Sequence, residues 1–162
     1  MRRILSLLIM AMLLTGCESP TAPAKLPVGA KFEIFTIAAT DAPNTTQAID
    51  PTTGDPLFLQ SPSIITTTDI DTVAHAVGYI THADGSRTEG NAPCLDIKLT
   101  AQGAAKMAAA TAKPTGNPIA VVVNDKVIST PQLHSQIHGS LQISGDPNDQ
   151  NFKSAVDALT KR

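Results

Sequence analysis

The sequence predicts an α+β domain: an antiparallel sheet with two helices packed on one face. Three observations predict it. Short apolar runs recur between turn signals, in the order strands, helix, strands, helix. An Ala-rich stretch, Thr100 to Lys113, has Ala104, Met107, Ala108 and Thr111 at helical spacing. A last segment places Phe152, Val156 and Leu159 at i, i+4 and i+7, one buried stripe.

The elements follow in order. Lys31 to Ala39 is β-prone, with Phe32, Ile34 and Thr36 on one face and Phe35 and Ile37 on the other. Thr40 to Gly54 reads as a polar loop with two prolines. Leu57 to Leu59 is a short strand, and Ile64–Ile65 a further apolar pair. The run Thr66 to Asp69 offers hydroxyls and a carboxylate that cap one helical turn before Ile70. Val73 to Thr81 is a strand by its Gly78 to Ile80 segment and the Asp84–Gly85 turn signal after it. Cys94 to Leu99 is its antiparallel partner, with Leu95, Ile97 and Leu99 facing the core. Thr100 caps the first helix, and Pro114 and Gly116 stop it. Pro118 to Val123 is a continuous apolar run, a central strand covered on at least one face. Asn124–Asp125 turns the chain, Lys126 to Ser129 returns, and Pro131 ends that strand. Leu133 to Ile143 contains another strand, interrupted by Gly139, and Asp146–Pro147 starts the second helix.

The first thirty residues have a different logic. Met1-Arg2-Arg3 precedes an apolar run, Ile4 to Leu14, and then Leu14-Thr15-Gly16-Cys17. A positive start and a short apolar stretch define a secretory signal. The run falls short of the roughly 20 apolar residues that span a bilayer. The residues around Cys17 resemble the lipobox of bacterial lipoproteins. That resemblance implies cleavage before Cys17, a diacylglycerol on its thiol and, often, acylation of the new amine. The expected organisation is a signal peptide at 1–16, a lipidated Cys and Pro-rich tether at 17–30, and a folded domain at 31–162. Glu18 stands where, in the sorting rule of Gram-negative envelopes, Asp favours inner-membrane retention. The expected place is therefore the cell envelope, facing the periplasm, with the outer membrane favoured over the inner.

Composition narrows the function. The chain has 162 residues, one ordinary domain plus a tether. Aromatics are 3% and Trp is absent, so the core is aliphatic and stacking platforms for single-stranded nucleic acid or sugars are lacking. Without Arg2 and Arg3, 10 basic residues face 14 acidic ones, which argues against a nucleic-acid partner. With Cys17 acylated, Cys94 has no disulfide partner and reads as a small buried strand residue. No G-x-S-x-G, P-loop, H-E-x-x-H or C-x-x-C is present. His134 and His138 are four apart, but in loop and strand that spacing defines no ligand face, so they read as exposed polar residues. His75 and His82 have opposite strand parity and read as two solvated histidines. Asp69 and Asp71 read as capping residues rather than a calcium loop. Neither catalysis, nor a metal, nor a cofactor is expected.

Three blocks carry a second resemblance. The first is Leu99-Thr100 with Gly103-Ala104, Lys106-Met107-Ala108 and Thr111. The second is Ile119 to Pro131. The third is Ile137 and Gly139 followed by Gln142 to Gly145, with Ile65-Thr66 and Asp69-Ile70 matching more weakly upstream. They are similar to the head subdomain of the large periplasmic domain of SecD and SecDF, membrane proteins that assist Sec-dependent export. The sequence departs from that family at Asn124–Asp125, where Asp-Gly is usual, at Thr130 in place of Ala, and in having Gly139 alone in place of a double glycine. The transmembrane helices and proton-coupling charges of SecD have no counterpart here. The resemblance implies a shared head fold and a noncatalytic lipoprotein that binds a protein or unfolded peptide. The expected contacts are Asn124, Asp125, Ser129, Pro131, His134 and Gly139. A structural spacer or small-ligand carrier, and an enzyme with an unfamiliar site, are the competing readings.

Overall fold

The computed structural model describes residues 21–81, 84, 86–113 and 118–161. The signal peptide and Cys17, the helix-stopping Pro114 and Gly116, His82 and Gly85 lie outside the described residues. Eight strands and two helices follow in order: β1 (Phe32–Ala38), β2 (Thr45–Ile49), β3 (Pro56–Ile65), β4 (Ile70–Thr81), β5 (Arg87–Leu99), α1 (Ala101–Ala110), β6 (Ile119–Val123), β7 (Lys126–Ser129), β8 (Ser140–Ser144) and α2 (Gln150–Thr160). A single 3-10 turn, Thr67–Asp69, separates β3 from β4.

All pairings are antiparallel, but the strands form two sheets where one was expected. The first has the order β2-β3-β1-β6-β7, the second β4-β5-β8. The chain crosses between them three times: at the 3-10 turn after β3, through α1 after β5, and after β7. Each helix touches both sheets: α1 meets β3 and β5, and α2 meets β4, β5 and β7. The main core lies among these layers. It joins Phe32, Ile34, Ile65, Val121 and Val123 of the first sheet to Val73, Leu95, Ile97 and Ile143 of the second, with Met107, Phe152, Val156 and Leu159 from the helices.

The expected faces are found. Leu95, Ile97 and Leu99 are buried, as are Met107 on α1, Thr111 at its C-cap, and Phe152, Val156 and Leu159 on α2. Thr100 caps α1, its hydroxyl accepting the Gly103 N–H at 3.1 Å, a contact worth about 1 kcal/mol. Gly103 matters for another reason. A Cβ there would stand 2.5 Å from the Asp69 carbonyl oxygen, so only glycine lets α1 lie against the 3-10 turn. Gly145 similarly admits the Phe152 ring, which a Cβ would meet at 2.3 Å.

Several boundaries differ from expectation. The 40–54 loop contains β2, a polar strand whose pairing with β3, not its own apolar content, orders it. Leu57–Leu59 and Ile64–Ile65 belong to one strand, β3. The last strand begins only at Ser140, because 133–139 is held by other contacts: Ile137 N–H donates to Thr111 Oγ1 and Gln136 Nε2 to the Ala108 carbonyl. The N-cap of α2 is Asp149, whose carboxylate accepts the Asn151 and Phe152 N–H groups. Asp146 instead accepts from Asn148, forming the turn before the helix. His75 is buried at 7% exposure rather than solvated, because it shares the inward parity of Val73.

The Pro-rich segment also has a defined place. Ala24 and Val73 exchange both backbone hydrogen bonds, at 2.9 and 2.7 Å. Thr21 N–H donates to the His75 carbonyl at 3.0 Å, and Thr21 Oγ1 accepts the His75 N–H at 2.8 Å. Thr21 to Lys25 thus lies along the outer edge of β4.

Candidate functional site

The three-stranded sheet has one face in the core and one facing out. Strand alternation sends Val73, Ile97 and Leu141 inward and Thr72, Asp96, Lys98, Ser140 and Gln142 outward. The outward residues line a groove of about 760 Å³, with Pro23 of the N-terminal segment and Gly139 also on its wall. Ala74 gives its floor a small side chain.

Polar groups on this face pair across strands. Gln142 Nε2 donates to Asp96 Oδ1 at 2.7 Å. Lys25 meets Asp71 at 2.6 Å, with Lys98 on the other carboxylate oxygen at 3.7 Å. The Lys25 hydrogen bond, aided by the Lys98 charge, holds the exposed Asp71 carboxyl below its ordinary value. The surface therefore carries both signs of charge beside hydroxyl and amide groups. Such a lining offers hydrogen bonds to an extended chain without selecting one charge.

The Asp69 carboxylate serves structure. It is 2% exposed and accepts from Lys106 Nζ at 2.8 and 2.9 Å and from the Thr66 N–H at 3.0 Å. Burial pushes its pKa up, but the Lys106 ammonium and the Thr66 hydrogen bonds outweigh that and hold it below its ordinary value. The pair locks the 3-10 turn onto α1. This is the capping role expected of Asp69, with an ion pair that the sequence did not announce.

The six expected contact residues do not converge. Asn124 and Asp125 form a tight turn with positive φ at both, 47° and 65°. Asn124 Oδ1 accepts the Lys31 N–H, and Asp125 pairs with Lys31 at 2.6 Å. Ser129 and Pro131 lie at the opposite end of that hairpin, where Pro131 accepts the Ile119 N–H at 3.0 Å. His134 and His138 are exposed. Of the six, Gly139 lines the groove. The β8 residues Ser140 and Gln142 were not singled out from sequence, although the alternation Ser-Leu-Gln-Ile-Ser from 140 to 144 is a signal for a half-exposed strand. Cys94 is fully buried in β5, its Sγ 3.2 Å from Ser144 Oγ. Among the described residues no three His, Cys, Asp or Glu side chains cluster as metal ligands, and no helix is long and apolar enough to cross a membrane.

Comparison with known proteins bears on this arrangement. A family model described as "SecDF, P1 head subdomain" matches residues 44–154. No curated protein matches the chain. Two solved structures are similar over 80% of it, each at 16% identity with a TM-score of 0.49. One is described as SecDF in super-membrane-facing form, of which the chain spans 18%. The other is described as a membrane component SecDF that enhances protein export, of which it spans 60%.

Proposed function

The chain belongs to the SecDF P1 head subdomain family, and from that membership we propose a noncatalytic envelope lipoprotein that binds an extended protein or peptide segment. The observation that carries the reading is the groove on the outer face of the three-stranded sheet, about 760 Å³ and lined by strand side chains of mixed polarity. SecDF is described as enhancing protein export, so the partner class in view is an exported polypeptide not yet folded. Of the contacts expected from sequence, Gly139 lines this groove, and Asn124, Asp125, Ser129, Pro131 and His134 lie outside its lining. The lipid on Cys17 would hold the domain at a membrane of the envelope, the outer one favoured by Glu18.

Two experiments test the parts separately. Metabolic labelling with a palmitate analogue is expected to mark the full chain and to fail with Cys17→Ser; labelling that survives the substitution removes the anchor. For the groove, a photoreactive residue at Thr72 or Gly139 is expected to capture a reduced, carboxymethylated polypeptide. The same group at Ala105, exposed on α1, is expected to capture little. Equal capture at all three positions removes the groove as the binding face.

A further inference from the structure

Every sheet must dispose of its edges, because an edge strand presents unpaired N–H and C=O groups. In the five-stranded sheet the outer strands β2 and β7 approach each other, and Thr130 Oγ1 donates to Asp50 Oδ2 where they meet, at 3.2 Å. In the three-stranded sheet Thr21 to Lys25 covers the β4 edge at Val73 and His75. At the opposite edge stands β8, which among the described residues pairs with β5 alone. Natural edges are blunted by lysine, proline, bulges or brevity. β8 has five residues, none charged and none proline, and its pairing with β5 has no register shift.

The direction of its free groups follows from the ladder. Leu99 N–H donates to the Gly139 carbonyl and Gly145 N–H to the Pro93 carbonyl. In an antiparallel pair these hydrogen-bonded positions alternate, so Leu141 and Ile143 also point their backbone groups at β5. Ser140, Gln142 and Ser144 therefore point theirs outward.

The sequence of β8 reads nearly the same in both directions about Gln142: Ser-Leu-Gln-Ile-Ser. We propose that β8 pairs antiparallel with β8 of a second copy of this chain, about a two-fold axis at Gln142, joining two three-stranded sheets into one. In that register Gln142 faces Gln142, Ser140 faces Ser144 and Leu141 faces Ile143. Each outward N–H and C=O of Ser140, Gln142 and Ser144 meets a partner. Apolar side chains meet apolar ones on the core side, polar meet polar on the groove side, and no like charges oppose. A two-fold interface requires this self-complementarity. The axis runs normal to the sheet, so both grooves fall on the same face of the joined sheet. The inference goes beyond the peptide-binding reading and holds whether or not Cys17 carries lipid.

Disulfide cross-linking of the full chain in membranes tests it. Across a hydrogen-bonded antiparallel pair the Cα atoms stand about 5.5 Å apart, within disulfide range. Gln142→Cys is expected to give an oxidant-dependent dimer that the wild-type chain, with its own cysteines, does not give. In a Cys94→Ala background, which removes the thiol beside position 144, Ser140→Cys alone and Ser144→Cys alone are expected to give none, because each faces the other residue; the double variant is expected to restore the dimer. Gln142→Lys, which places two ammonium groups at the axis, is expected to halve the mass of the purified chain while its circular dichroism spectrum stays that of the wild type; its melting temperature falls by the stabilisation that association contributes. Equal cross-linking of all single variants, or none from Gln142→Cys in chain that melts normally, overturns the proposal. So does a monomeric mass for the wild-type chain.

Discussion

The two sheets handle exposure in opposite ways. The five-stranded sheet buries side chains on both faces. Phe32, Ile34 and Val121 face the main core, while Leu59, Ala120 and Val122 form a second small cluster on the other side, with Phe35, Ile37 and Val127 packed on it. The three-stranded sheet buries one face only. Its other face is a groove, one edge is covered at Val73 and His75 by the N-terminal segment, and the β8 edge is bare among the described residues. A strand order built for packing and one built for display thus share a single core, and the proposed binding surface lies on the one with hydrogen-bonding capacity to spare.

If both sheets depend on that shared core, the largest loss should follow from emptying it. Phe152→Ala, removing a fully buried ring, is expected to cost about 4 kcal/mol in denaturant unfolding, with both sheets melting together. Separate transitions would show that the sheets are independent. Next comes the junction between them. Asp69→Ala leaves Lys106 without its carboxylate and is expected to cost about 3 kcal/mol. Because the Asp69 pKa is lowered in the fold, its contribution is complete above the ordinary carboxylate pKa of about 4. It is lost as pH falls through the lower folded value. The stability gap between wild type and variant should therefore narrow on acidification; a gap constant with pH would remove the ion pair from the account. A smaller loss, about 2 kcal/mol, is expected for Leu59→Ala, which thins the outer cluster of the first sheet. Its unfolding midpoint should fall while groove binding persists. The smallest stability effect belongs to the display face. Lys98→Ala is expected to change stability by less than about 0.5 kcal/mol yet to alter polypeptide capture at the groove. Unchanged capture would separate the groove from binding.

Local pattern made much of this legible. The faces of β1, β5, α1 and α2 follow from parity and helical spacing, and Thr100 announced itself as a cap. What was not legible is non-local. Nothing within Thr45–Ile49 reads as a strand; β3 makes it one. Nothing in the order of strands says that β4, β5 and β8 form a sheet of their own while β6 and β7 return to the first. Asp146–Pro147 carries the local signature of a helix start, yet the cap is Asp149, whose carboxylate accepts the Asn151 and Phe152 N–H groups. The β6–β7 hairpin drew the site reading because its residues matched a family block, but its two ends lie apart, and the groove is assembled from the consecutive strands β4 and β5 with the distant β8.

The docking of Thr21 against β4 has a consequence for reach. Between Cys17 and Thr21 the backbone can extend at most about 15 Å, close to the radius of gyration of a domain this size, about 14 Å. If Cys17 is acylated, the domain is a bollard rather than a kite. It can swivel about its mooring, but it stays within one diameter of the bilayer and samples only the thin layer of periplasm beside it.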